Sequence, residues 1–155
     1  MKIFVQIASY RDPQIIPTIK SMLENAKNPK NLRIGIARQF HPEDGFDDLS
    51  EYENDDRFRI LNIPHTESKG VCWARHQVQQ LYKGEEYTLQ IDSHMRFEKN
   101  WDSELIKMVK DLQKKGHKKP LLTGYVSSFD PENDPKGRVN EPWRMAFDRF
   151  TPEGV

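Results

Sequence analysis

Apolar residues along the chain come in short β-rich runs separated by stretches with helical spacing. "KIFVQIA" (2–8) is rich in branched and aromatic side chains and predicts a strand. After the polar break "SYRDP", Ile15, Ile19, Met22, Leu23 and Ala26 follow at intervals of four, three, one and three, which is one face of a helix. Pro13 and Pro17 fit only an opening turn, so the regular helix is expected to start near Pro17. "LRIGIARQF" (32–40) predicts a second strand. The acidic "HPEDGFDDLSEYENDD" (41–56) predicts a loop with one irregular helical turn, and "RFRILNIP" (57–64) a third strand. Gly70 opens a helix with Val71, Ala74, Val78 and Leu81 on one face. "EYTLQID" (86–92) reads as a strand apolar enough to be central. "WDSELIKMVKDLQKK" (101–115) repeats Trp101, Leu105, Met108, Val109 and Leu112 at helical spacing, and "PLLTGYV" (120–126) closes the alternation as a last strand.

Strands alternating with helices predict an α/β domain whose mainly parallel sheet is covered on both faces. In such sheets ligands bind outside the carboxyl ends of the strands, where the strand order reverses. The polar groups leaving those ends are "SYRD", "RQF", "HTESKG" and "DSHMRF", which the topology gathers along one edge. Residues 1–126 are expected to form this domain. Residues 127–155, rich in Pro, Asp and Asn and without periodicity, are expected to form an irregular tail that begins an acceptor or lid region. There Trp143, Arg144, Phe147 and Phe150 either cover a site or pack on residues beyond it.

Composition narrows the function classes. The 155 residues are enough for one domain of ordinary size. Lys plus Arg number 24 and Asp plus Glu number 24, so the zero net charge offers no basic excess for nucleic acid phosphates. Apolar residues make up 35% of the chain, a lean core that fits one part of something larger. Cys72 is the single cysteine, which excludes an internal disulfide. The N-terminal apolar run is too short and too polar for a signal peptide or membrane helix, so a cytoplasmic location is expected.

Three segments carry candidate chemistry. In "QIDSHMRF" (90–97), Asp92 and His94 sit two apart at a strand end, and alternate strand residues share a face. One carboxylate and one imidazole suit manganese or another divalent first-row metal whose remaining positions go to water and phosphate oxygens. A bare D-x-H is otherwise a strand-end cap beside an ordinary histidine. In "KGVCWARHQ" (69–77), Gly70 before a helix N-terminus favours an anion, and Arg75 one turn in adds a guanidinium. Taken alone, helix punctuation and a solvated arginine are the favoured reading. In "ASYRD" (8–12), Ser9, Tyr10, Arg11 and Asp12 offer groups to hold a base and ribose, while Asp12 before Pro13 is also a helix-start signal. Cys72 and His76 have no partner at catalytic spacing. Glu98, Asp102 and Glu104 suit the dipole of their helix and need no other role.

Taken together, "IFVQIASYRDP", "GVCWAR" and "LQIDSHMRFEKNWD", in that order over the first two-thirds of the chain, resemble the GlcNAc-type glycosyltransferases, which include hydroxyproline N-acetylglucosaminyltransferases. The D-S-H triplet also resembles the metal motif of the polypeptide N-acetylgalactosaminyltransferases. The resemblance implies a GT-A fold, a three-layer Rossmann-like arrangement. It also implies a UDP-sugar donor, with N-acetylglucosamine the expected sugar, a hydroxyl acceptor on a protein or glycan, and a divalent metal, usually manganese. Carried over, Asp92 and His94 are the metal ligands. Ser9, Tyr10 and Arg11 match the first-strand loop lining the nucleotide pocket, Gly70 the helix-opening glycine, and Arg75 the helix arginine facing the donor. Enzymes of this kind continue further and often carry a third ligand histidine, whereas no histidine follows His117 here. The chain is therefore expected to be the donor-binding part of a longer enzyme. The competing readings are a nucleotide-binding module without turnover and, more weakly, a metal-dependent hydrolase, for which no second acidic or histidine cluster supplies a two-metal site.

Overall fold

A computed structural model describes residues 1–139 and Glu141. Seven regular elements follow in chain order. They are β1 (Ile3–Tyr10), α1 (Ile15–Asn25), β2 (Leu32–Phe40), β3 (Phe58–Pro64), α2 (Val71–Gln79), β4 (Tyr87–Asp92) and α3 (Trp101–Lys114). The four strands form one parallel sheet in the order β3-β2-β1-β4.

The alternation of side chains along the strands builds two cores, one on each face. Ile3, Val5 and Ile7 of β1, with Leu32, Ile34 and Ile36 of β2, pack against Ile15, Ile19 and Met22 of α1 and Trp101 of α3. On the opposite face Phe4 and Ala37 pack against Ala74 and Val78 of α2. The sheet and the helices packed on it are thus the expected three-layer α/β/α arrangement, Rossmann-like in strand order. Gly35 sets the spacing of the α2 face: a Cβ there would lie 2.7 Å from Cζ of the buried Phe4 and 3.1 Å from Cγ1 of Val78.

Two compact units divide the chain, Met1–Met108 and Val109–Val155. In the second, Phe129 and Arg138 form an antiparallel bridge, and the Asp130 carboxylate accepts from the Glu132 amide at the start of a single turn at Pro131–Asn133. Trp143, Arg144, Phe147 and Phe150 lie outside the described residues. No helix among the described residues is long and apolar enough to cross a membrane.

Several sequence expectations need correction. Helix α1 begins at Ile15, two residues before Pro17. Pro17 is its third residue, where an amide hydrogen would have no intrahelical acceptor, so the ring costs no hydrogen bond. Among the described residues strand β4 is an edge strand of this sheet, not a central one. Its alternate residues Thr88, Gln90 and Asp92 are exposed, the signature of a strand covered on one face only. Residues 120–126 are not part of the sheet, and Leu121 (86%), Tyr125 (59%) and Val126 (59%) are exposed. Tyr125 alone in this run makes a β-bridge. Val71 and Met108 likewise stand exposed, off the buried faces of their helices.

Candidate functional site

The chain runs from β1 to β2 to β3 in one direction, and then α2 carries it back so that β4 pairs with the other side of β1. The strand order reverses between β1 and β4, and the crevice of such a sheet opens at their carboxyl ends. Ala8 is paired with Asp92, so the residues that follow, Ser9–Asp12 and Ser93–Met95, flank that opening.

Helix α1 holds one wall. The fully buried Thr18 hydroxyl donates to the Ser93 carbonyl (2.7 Å) and accepts from the Met95 amide (2.9 Å). One turn on, Ser21 Oγ accepts from the Phe97 amide (3.0 Å). These two polar residues occupy the buried face of α1 because the irregular backbone after β4 needs partners there.

Asp12 joins the two walls. Its Oδ1 accepts from the Gln14 amide (2.8 Å) at the start of α1, and its Oδ2 accepts from Ser93 Oγ (2.5 Å) and lies 2.8 Å from His94 Nδ1. Burial works against the charged form of this carboxyl, but the bonds from Ser93, His94 and Gln14 outweigh it and hold the group below the usual carboxylate range. The two roles weighed for Asp12 from sequence are both met locally, since it starts the helix and it faces the crevice. Its tie to His94, 82 residues away, had no sequence signal.

The remaining candidates fall into place around this pair. Arg75, in the second turn of α2, donates from Nη2 to Asp92 Oδ1 (2.9 Å), with both side chains partly open to solvent. Gly70 precedes α2 at φ +91°, a conformation natural to glycine. Tyr10 is half-exposed and offers a ring face. Ser9 is fully buried, and its Oγ has no partner among the described residues, so it backs the edge and does not line its surface. Arg11 turns through φ +45° and is engaged with Asp44 through Nε (2.6 Å) and Nη2 (3.2 Å). The Arg11 guanidinium holds the Asp44 carboxyl below its ordinary range. Arg38 and the buried Asp47 make a second such pair (2.7 Å), so the acidic loop is fastened to the sheet by its own aspartates. That loop contains the single expected helical turn, at Ser50–Tyr52.

Asp92 ends β4 and His94 lies in the irregular backbone just beyond it, so strand alternation does not relate the two, and each has an internal partner. Among the described residues no group of three or more His, Cys, Asp or Glu side chains is arranged to hold a metal. A cation held by Asp92 and His94 would have to take its other positions from a ligand. Among the described residues Asp92 Oδ2 has no partner, and His94, engaged through Nδ1, keeps Nε2 unbonded.

In a Rossmann-like α/β protein this edge, at the topological switch point, is where ligands are expected, and here charged pairs line it. The chain belongs to the family described as Glycosyltransferase (GlcNAc), whose family model matches residues 2–52 and 44–155. The two matches overlap over 44–52, within the loop between β2 and β3. Glycosyl transfer from a sugar donor to an acceptor is thus the class of chemistry to which the chain's family belongs. A comparison with curated proteins finds no significant match.

Proposed function

We propose that this chain is the donor-binding part of a GT-A glycosyltransferase, which takes a UDP-sugar, expected to be UDP-N-acetylglucosamine, and transfers the sugar to a hydroxyl acceptor on a protein or glycan. The observation that carries the reading is the meeting, at the β1–β4 switch point, of Asp92 with Arg75 and of His94 with Asp12. Asp92 and His94 would hold a divalent cation, manganese by family likeness, through Oδ2 and Nε2. When bound, such an ion neutralises charge on the diphosphate oxygens as the sugar departs.

The chain's own residues do the rest. Arg75 offers a guanidinium whose fork matches phosphate oxygens in two contacts. The amides at the start of α2, freed of side chains by Gly70, present partial positive charge towards the same edge. Tyr10 supplies an aromatic face for the uracil, and the Arg11–Asp44 pair fixes the loop that carries it.

Calorimetric titration of the chain with UDP, with and without manganese, tests this reading. Binding that requires the metal and is abolished in both Asp92→Asn and His94→Ala supports it. Unchanged binding in both variants removes the metal assignment, and donor binding without hydrolysis or transfer assigns the chain to a binding module.

A further inference from the structure

A histidine whose ring is 60% open to solvent has no reason of its own to hold one tautomer. His94 has an external one. Its Nδ1 lies 2.8 Å from Oδ2 of Asp12, a side chain only 15% exposed. That carboxylate cannot swing away, because Oδ1 is committed to the Gln14 amide (2.8 Å) and Oδ2 also receives Ser93 Oγ (2.5 Å). Ser93 is in turn held through its carbonyl by the buried Thr18. An ionised carboxylate only accepts, so a short contact with a neutral imidazole needs the ring proton on Nδ1. The lone pair then lies on Nε2, the nitrogen with no partner among the described residues.

We propose that Asp12 is a positioning residue that fixes His94 as the Nδ1–H tautomer and so presents the Nε2 lone pair to a divalent cation at the β1–β4 crevice. The cation belongs to the reading given above, whereas the control of the ring is a property of the metal-free chain. Carboxylates bonded to the far nitrogen of a ligand histidine set its orientation and basicity, and losing one typically lowers metal affinity by roughly 10- to 100-fold.

The test is Asp12→Asn in the full chain. The amide keeps its oxygen for the Gln14 N–H and turns its NH₂ towards Nδ1, which must then accept, moving the ring proton to Nε2. Long-range proton–nitrogen NMR of the metal-free protein reads the tautomer above the pH at which the ring titrates. His94→Gln identifies its signals among the five histidines. Wild type is expected in the Nδ1–H form and Asp12→Asn in the Nε2–H form. Mn²⁺ affinity in the presence of UDP, followed by electron paramagnetic resonance of the free ion, is expected to fall roughly 10- to 100-fold. Ser93→Ala keeps the Asp12–His94 contact and should leave the tautomer unaltered, and thermal unfolding confirms that each variant is folded.

A wild-type ring in the Nε2–H form, or a tautomer indifferent to Asp12→Asn, overturns the proposal. So does a switched tautomer with unchanged Mn²⁺ affinity. A switched tautomer in a protein whose wild type binds no Mn²⁺, with or without UDP, upholds Asp12's control of the ring and overturns the metal reading instead.

Discussion

Arg75→Met separates what the arginine does for the fold from what it does for a ligand, because the two effects differ in size. Its ion pair with Asp92 is 2.9 Å long, but the side chains are 32% and 55% exposed. A pair so open to water is worth about 0.2–1 kcal/mol. For a chain of this size about 1 kcal/mol corresponds to about 2–4 °C, so the melting temperature should fall by no more than about 4 °C. A guanidinium bonded to a diphosphate contributes about 1.5–3 kcal/mol, so UDP binding in the presence of manganese should weaken roughly 10- to 150-fold. Manganese alone should respond in the opposite sense, because Asp92 loses its competing cation, and its affinity without nucleotide should hold or rise. Scanning calorimetry reads the first quantity and isothermal titration the other two. UDP affinity within about 3-fold of wild type, below the roughly 10-fold floor of that interaction, would reduce Arg75 to a surface residue. A melting temperature lowered by much more than about 4 °C would show that it supports the fold instead.

Two further predictions concern the scaffold that carries the site. Asp102, 2% exposed in the first turn of α3, accepts from the amides of Lys27 (2.7 Å) and Asn28 (2.9 Å), so its carboxylate is structural beyond any helix-dipole effect. Asp102→Ala removes the buried acceptor of two part-buried amides and should cost about 1–3 kcal/mol in urea unfolding; a loss below about 0.5 kcal/mol would contradict this accounting. Glu85 is the other case. Burial raises its carboxyl, but the bonds from Arg59 (2.5 Å) and the Lys83 amide (2.9 Å) prevail and hold it below its ordinary value of 4.5. A depressed folded value means that the unfolded chain binds the proton more readily. This contribution is therefore present above the ordinary value and fades as pH falls through the folded one. Stability of Glu85→Gln should depend less steeply on pH than wild type below about pH 4.5, and parallel curves would refute the pairing.

What the sequence revealed and what it hid divide along the range of the interactions. Strand β2 (Leu32–Phe40) and the start of α3 (Trp101) fall where the periodicity put them, and β3 and β4 within a residue of it, because each is written in neighbouring side chains. The end of β4 at Asp92 and the glycine before α2 were also legible, since a strand end and a helix start are local signals. The polar residues on α1 were not. Thr18 and Ser21 lie among Ile15, Ile19 and Met22 on the buried face, and a polar residue at a core position announces a partner without saying where. The partners, backbone groups at 93, 95 and 97, are more than 70 residues away. The edge position of β4 was written in Thr88, Gln90 and Asp92, alternate polar residues that a count of apolar ones overrides. For 120–126, propensity had no burial to support it.

The charge arrangement bears on what this edge accepts. Asp92 is matched by Arg75, Asp12 by His94 and Asp44 by Arg11, each anion by a group from another part of the chain. A lone cation entering here must take Asp92 from Arg75 and leave the guanidinium unmatched. A lone diphosphate must take Arg75 and leave Asp92 unmatched. A diphosphate that brings a divalent cation supplies both signs at once, so each half of the open Arg75–Asp92 pair exchanges one partner for another and no charge is stranded. Such an exchange makes each component raise the affinity for the other, by the same factor in both directions. On the proposed reading, UDP and manganese therefore bind cooperatively, and the cooperativity resides in the ion pair. Arg75→Met should abolish most of the coupling even though it leaves both metal ligands in place. Titrations of UDP at several manganese concentrations measure that coupling, and an undiminished value in the variant would show that the Arg75–Asp92 pair is a bystander.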